Sequence, residues 1–276
     1  MRALLTALYL PLFLTFGAVH ATAAADRDRL EAFLQVTGFD VALESIRLSA
    51  GSAPQMIGLE AEDFGLQWTR LVEDVFETDG MHDMALDILE ETLEPDLLAH
   101  AAGFYASDLG QRLVVAENAS HMVEDDDAKR EAGGQIIAGL TQIGSPRLAL
   151  IERLNAASGG ADHAVEAIQE IQVRFLMTAA AAGVIELRME EPDLRSALAE
   201  NAGELRRSVE ASALAGAAYT YQSFSDAEVE AYAEALEHED MRAVYALMNS
   251  VQYEIMANRF EALALAMTGL QPTQEL

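Results

Sequence analysis

The sequence predicts an all-α fold, a helical bundle, and leaves open whether two related helical halves compose it. Apolar residues recur at the i, i+3, i+4 and i+7 spacing of a helix, and no segment alternates polar and apolar residues as a strand does. The longest stripe, with one polar interruption, is Met241, Val244, Tyr245, Met248, Gln252 and Ile255. Alanine, which costs least in a helix, is abundant. Because the chain contains no cysteine, its stability must come from a buried core.

The first 25 residues are typical of an export signal. Arg2 gives a basic start, an uncharged apolar run extends from Ala3 to Val19, and small residues follow as far as Ala25. The run is shorter than the roughly 20 apolar residues that span a bilayer, which disfavours the alternative of an uncleaved anchor. We therefore expect residues 1–25 to be a cleaved signal peptide. The mature chain is then periplasmic or secreted from a bacterium, without stable membrane insertion.

The charge of the chain restricts its partners. There are 46 Asp and Glu residues against 17 Lys and Arg, which gives a formal net charge of −29. Such a charge repels phosphate backbones and anionic surfaces, so we exclude nucleic acid as a partner. It favours the solubility of an exported protein, and it also suits a cationic partner. An envelope protein or a cationic partner are the candidates, and the oligomeric state is left open.

Breaks in the helical pattern divide the chain. Ser225 and Glu228 have the spacing of a capping box and predict the start of a helix. The loosest stretch, rich in Ala, Ser and Gly, is Asn155–Ala161. We therefore expect a first helical half over residues 26–155 and a second over residues 161–270.

The two halves share a pattern. The segments Leu93–Leu113 and Phe224–Val244 superpose without a gap, and in each a helix, an acidic break and a second helix follow one another. The second half is accordingly predicted to be a diverged repeat of the first. Chance similarity between two amphipathic hairpins is the alternative, because helical periodicity alone produces such matches.

A short turn in the first of these segments has a distinctive sequence, Phe-Tyr-x-Ser-x-x-Gly-Gln. The residues of this turn are Phe104, Tyr105, Ser107, Gly110 and Gln111. This turn resembles the signature of a domain-of-unknown-function family of small exported helical proteins of proteobacteria. Asp108 departs from the pattern, since many members have proline there. The resemblance implies export and a helical fold, but it implies no reaction.

The five turn residues also have a structural interpretation. Phe104 and Tyr105 end the buried stripe of one helix, and Ser107 is suited to cap the next. Gly110 costs about 1 kcal/mol relative to alanine within a helix, which indicates a close backbone approach. Gln111 is suited to bond a loop carbonyl. The alternative is that this corner forms a recognition surface.

We predict no catalytic residue, no metal ligand and no cofactor. Thiol chemistry is excluded by the lack of cysteine, and the histidines are scattered, without a His-Glu-x-x-His pair. The acidic run Glu124–Asp127 lacks the alternating spacing of a calcium loop. No Gly-x-Ser-x-Gly motif or phosphate-binding glycine loop is present.

Three functions of different classes remain. The leading hypothesis is a non-enzymatic periplasmic protein that binds a protein or an envelope component through helical surfaces. The second is a binder of a small apolar ligand in a pocket lined by Met241, Met248 and Met256. The third and least favoured is an enzyme built from carboxylates that folding brings together.

Overall fold

A computed structural model describes residues 18–270, and its side chains are described from Asp26 onward. The described residues form helices and no strand, which confirms the predicted all-α class. The α-helices are α1 (Ala18–Thr37), α2 (Phe39–Ser45), α3 (Ala53–Met56), α4 (Leu66–Val75), α5 (Thr78–Thr92), α6 (Pro95–Tyr105), α7 (Asp108–His121), α8 (Asp126–Ile143), α9 (Arg147–Ala157), α10 (Gly160–Ala181), α11 (Glu191–Glu200), α12 (Ala202–Thr220), α13 (Asp226–Glu237) and α14 (Glu239–Ala266). Short 3-10 helices occupy Ile46–Ser52, Ala61–Phe64 and Met267–Gly269.

Most of the predicted signal peptide, residues 1–17, lies outside the described residues. Its last part, residues 18–25, forms the beginning of α1. Between residues 18 and 270, no helix combines the length and the apolar character that crossing a bilayer requires. Export and cleavage therefore stay predictions.

Side-chain caps set the helix boundaries where the sequence predicts them. The Ser107 hydroxyl accepts a hydrogen bond from the Gly110 amide at 3.1 Å and begins α7. Ser225 and Glu228 form a capping box at the start of α13, in which the Ser225 amide donates to the Glu228 carboxylate at 2.7 Å. Pro95 is the first residue of α6. A backbone N–H at this position has no partner within the helix, so the missing N–H of proline costs no hydrogen bond. These local signals determine the residues at which α6, α7 and α13 begin.

The long helix α14 forms the centre of the bundle. Its apolar stripe, including Met241, Val244 and Met248, is buried, and it packs against α4, α5, α6, α10 and α13. On α14, the Phe260 ring contacts the rings of Phe76 and Phe175 edge to face, with centroids 5.9 and 6.0 Å apart. Phe76 directly follows α4 and Phe175 lies on α10, so α14 packs between these two parts of the chain. Burial of this stripe provides the main hydrophobic stabilisation.

The main hydrophobic core draws on both sides of the predicted boundary. It contains Leu30 and Leu113 from the first half and Phe175 and Leu263 from the second. A smaller cluster lies between α8, α9 and α12, around Ile151. The division into halves and the duplication both stay predictions.

Candidate functional site

Three tyrosine hydroxyl groups meet where α6, α13 and α14 converge. The Tyr105 hydroxyl lies 2.9 Å from that of Tyr232, which lies 2.7 Å from that of Tyr245. Tyr105 also hydrogen-bonds Tyr245 directly. Each tyrosine sits on the inward face of its helix, so packing of the three apolar stripes brings the hydroxyls together. Burial raises the pKa of Tyr105 and Tyr232 well above the ordinary value, so both phenols keep their protons.

The tyrosine cluster extends to a carboxyl group on α7. Glu117 Oε1 accepts a hydrogen bond from Tyr221 at 2.7 Å and another from Tyr232 at 2.8 Å. Both of these hydrogen bonds are made to Oε1, and the side chains described from Asp26 to residue 270 make none to the other oxygen, Oε2. Desolvation raises the pKa of Glu117, and the two tyrosine hydrogen bonds only partly oppose that effect. The environment therefore favours a protonated glutamic acid more than solvent does.

Counting protons in this network leads to the same conclusion. Five oxygen–oxygen contacts join Glu117 and the four tyrosines. The four phenols supply only four protons. If Glu117 is ionised, one of the five oxygen–oxygen contacts therefore has no proton between its two oxygens. A protonated Glu117 adds a fifth proton, and every contact is then satisfied when Oε1 carries that proton and donates it to the Tyr232 hydroxyl, which reverses the direction of the Tyr232–Glu117 hydrogen bond of the ionised form. The neutral acid thus completes the network.

A cavity of about 350 Å³ lies against this carboxyl group. It is enclosed by the turn between α1 and α2 and by α7, α8, α9, α12, α13 and α14. Its charged, polar and aromatic lining includes Phe39, Glu117, Asn118, His121, Lys129, Asn155, Tyr221, Tyr232, Tyr245, Asn249 and Gln252. Its size is near the lower end of small-molecule binding sites.

The turn between α1 and α2 shapes one wall of the cavity. Gly38 has a φ of +76°, a left-handed conformation that glycine adopts without strain. A Cβ atom there would also lie 2.5 Å from Asn118 Oδ1, so the turn packs directly on α7. It places the Phe39 ring edge-on to Tyr245, with centroids 5.8 Å apart.

Basic side chains at the cavity carry little uncompensated charge. Lys129 Nζ lies 3.0 Å from an Asp126 carboxylate oxygen and 3.3 Å from the Ser120 carbonyl oxygen. His121 is exposed, yet local desolvation and then the charge of Lys129 lower its pKa, which favours the neutral imidazole. Glu117 is the only acidic side chain among the described lining residues.

A second cavity of about 1120 Å³ lies between α9, α10, α12 and α14. The predicted boundary Asn155–Ala161 lines it, and Asn155 and Ser158 also line the first cavity. Between the two, the Asn249 amide donates to the Ser158 carbonyl oxygen at 3.0 Å. This boundary stretch is therefore part of the wall of both cavities.

The predicted methionine-lined pocket has no counterpart in these two cavities. Met241 and Met248 are buried in the main core, and Met256 packs against it. None of the three lines either cavity. Core packing accounts for this stripe.

The five turn residues support the site from one side. Phe104 stacks on Tyr232 with centroids 5.7 Å apart, and Tyr105 belongs to the hydroxyl cluster. The Gln111 amide donates to the Ala106 carbonyl oxygen at 3.0 Å. Gly110 packs on the backbone of α6, so the turn holds Tyr105 in position.

The fold also brings together two histidines that the sequence analysis treated as scattered. His100 on α6 and His238 before α14 stack with ring centroids 4.4 Å apart. Their Nδ1 atoms lie 3.7 and 3.6 Å from Asp240 Oδ2. The sequence offered no signal for this pair, because His100 and His238 lie at different positions of the two aligned segments, and helical periodicity does not say which helices meet.

Comparison with known families finds a similarity to an uncharacterised family over a segment that contains part of this site. Residues 79–138 match the family model described as "Uncharacterized protein conserved in bacteria (DUF2059)". The match begins in α5, ends in α8, and includes the turn and Glu117. It confirms the resemblance to a domain-of-unknown-function family, whereas the turn signature and the proteobacterial restriction stay predictions. Neither the curated proteins nor the solved structures searched gave a match.

Proposed function

We propose that this chain is an exported binding protein that holds a small cationic amine in the cavity beside Glu117. The observation that carries the proposal is the Glu117 carboxyl group, fixed through Oε1 by Tyr221 and Tyr232 at the wall of that cavity. An ammonium group is a donor for the remaining oxygen, and a charge-assisted hydrogen bond is stronger than a neutral one.

The aromatic lining and the overall charge support a cation over other ligands. Phe39, Tyr221 and Tyr245 line the cavity together with Glu117, and aromatic rings attract ammonium groups. The net charge of −29 raises the local concentration of cations around the protein. Because Lys129 is paired with Asp126, it offers limited repulsion.

Amine binding should be coupled to loss of a proton at pH values where Glu117 is still protonated in the free protein. Desolvation at the cavity wall favours protonated Glu117, whereas an ammonium ligand favours the ionised carboxylate. A binding reaction that ionises Glu117 therefore releases a proton to the buffer. Calorimetry in two buffers of different ionisation enthalpy measures this release directly.

The proposal is tested by thermal unfolding with ethylamine and putrescine, whose ammonium groups carry N–H donors, as probes and glucose as an uncharged comparison. At least one amine should raise the melting temperature, and a ligand at 100 times its Kd adds about 2.7 kcal/mol to the unfolding free energy. Glu117→Gln should remove the effect. Glu131→Gln, an exposed glutamate on α8, should leave it intact.

Two outcomes would contradict the proposal. One is the absence of stabilisation by either amine at millimolar concentration. The other is equal amine binding by wild type and Glu117→Gln. Export is tested separately by cell fractionation, where an uncut leader on cytosolic protein would contradict it.

The other functional hypotheses gain less from the structure. The large exposed apolar side chains lie on separate elements and mark no single helix face: Leu66, Val115, Ile143, Met189 and Leu265. Binding of an envelope protein therefore remains a hypothesis from the sequence. The cavity gives Glu117 no second carboxylate among the described lining residues, so we do not extend the proposal to catalysis.

A further inference from the structure

We propose that His100, His238 and Asp240 form a binding site for a divalent transition-metal ion of the zinc type. The sequence alone predicts no metal ligand, because no pair of histidines has the spacing of a known motif. The site arises only when α6 packs against the start of α14.

The distances between the ligand atoms suit one shared ion. Asp240 Oδ2 lies 3.7 Å from His100 Nδ1 and 3.6 Å from His238 Nδ1. One ligand atom from each residue lies within 4.8 Å of the other two. A tetrahedral zinc ion with bonds of about 2.0–2.2 Å separates its ligands by about 3.4 Å, which is close to the two distances to Asp240 Oδ2.

The donor set selects the class of metal. Two imidazoles and one carboxylate are ligands that zinc, nickel and copper accept, whereas calcium and magnesium prefer six or more oxygen atoms. Three protein ligands leave a fourth position for water. The cluster is partly exposed, so an ion can reach it from solvent.

Binding requires one ring to turn. The two imidazoles stack with an interplanar angle of 23°, so their nitrogen lone pairs do not yet converge on one point. His238 is exposed, and metal binding through its Nδ1 replaces the 3.3 Å hydrogen bond that this atom accepts from the Asp240 amide. The N-terminus of α14 disfavours a cation, and Glu239 and Asp240 in its first turn offset that effect.

The site is separate from the amine-binding cavity. None of its three residues lines either of the two cavities. A metal ion here would tie α6 to α14 through residues that the hydroxyl cluster does not use. Failure of the zinc proposal would therefore leave the amine proposal untouched, and the reverse also holds.

The test is zinc titration of the full protein, followed by calorimetry, in a large excess of magnesium. Magnesium occupies the weak carboxylate sites among the 46 acidic residues. The heat of zinc binding then reports only a site that is selective for imidazole ligands. We expect one Zn²⁺ ion per chain and a melting temperature that rises with zinc concentration.

Variants assign the binding to this cluster. His100→Ala and His238→Asn should each weaken zinc binding by about tenfold or more, and asparagine keeps the helix cap that His238 provides. His163→Ala, at an exposed histidine on α10, is the matched control and should bind like wild type. The proposal is overturned if wild type binds no zinc under these conditions, or if the cluster variants and His163→Ala bind equally.

Discussion

Gly110→Ala is expected to lower the free energy of unfolding by about 3 kcal/mol, the upper part of the range for overpacked positions. A Cβ atom at this position would collide with the Phe104 carbonyl oxygen and would lie 2.5 Å from Tyr105 Cα. Both are backbone atoms of α6, so no side-chain rotation relieves the contact. The corner must open, and Tyr105 must then move away from Tyr232 and Tyr245.

Gly103→Ala is the matched control for this prediction. Gly103 lies in the last turn of α6, is exposed, and has nothing within 4 Å of an added Cβ. Alanine should therefore stabilise the helix by roughly 0.5–1 kcal/mol. Urea unfolding followed by circular dichroism measures both variants. A Gly110→Ala protein as stable as wild type would mean that α6 and α7 do not approach as closely as the structure has them.

Local signals in the sequence predicted much of the fold. The apolar residues of α14 recur at helical spacing and lie on one buried face, so spacing alone predicts which side of this helix points into the core. Ser107 and Ser225 cap helices because a hydroxyl three residues from an amide is a short-range arrangement. Gly110 was recognisable for a similar reason, since a glycine inside a helix needs a packing explanation.

The candidate sites were not predictable in the same way. Glu117 meets Tyr221 and Tyr232, which lie 104 and 115 residues further along the chain. Helical periodicity identifies the inward face of each helix, but it does not say which helices face one another. The methionines illustrate the same limit. Their stripe was visible in the sequence, and only packing decides between a pocket and a core.

The second large effect concerns the pH dependence of stability, in which Glu117 and Glu228 should act with opposite signs. The pKa of Glu117 is raised in the folded protein by desolvation, so the native state holds its proton longer than the unfolded chain does. Its contribution to stability is complete below the unfolded value of about 4.3, and it is lost as the pH rises through the raised pKa. Ionisation of Glu117 therefore destabilises the fold on the alkaline side.

Glu228 behaves in the opposite way. The Arg112 guanidinium, and then the Ser225 amide and hydroxyl, lower its pKa to about 2. Its contribution is present above the unfolded value of about 4.3, and it is lost as the pH falls toward about 2. Because the Glu228 side chain is partly exposed, solvent screening makes this contribution modest.

Glu117→Gln and Glu228→Gln separate the two effects in urea unfolding measured between about pH 3 and pH 8. Relative to wild type, Glu117→Gln should gain stability as the pH rises, because its neutral amide cannot ionise within the tyrosine cluster. The stability deficit of Glu228→Gln relative to wild type should shrink as the pH falls below about 4.3, since the unfolded wild-type chain then takes up a proton that folded Glu228, paired with Arg112, does not. If the difference between Glu117→Gln and wild type did not change with pH, Glu117 would titrate alike in the folded and unfolded states. The fifth proton of the hydroxyl network would then be absent, and amine binding would release no proton.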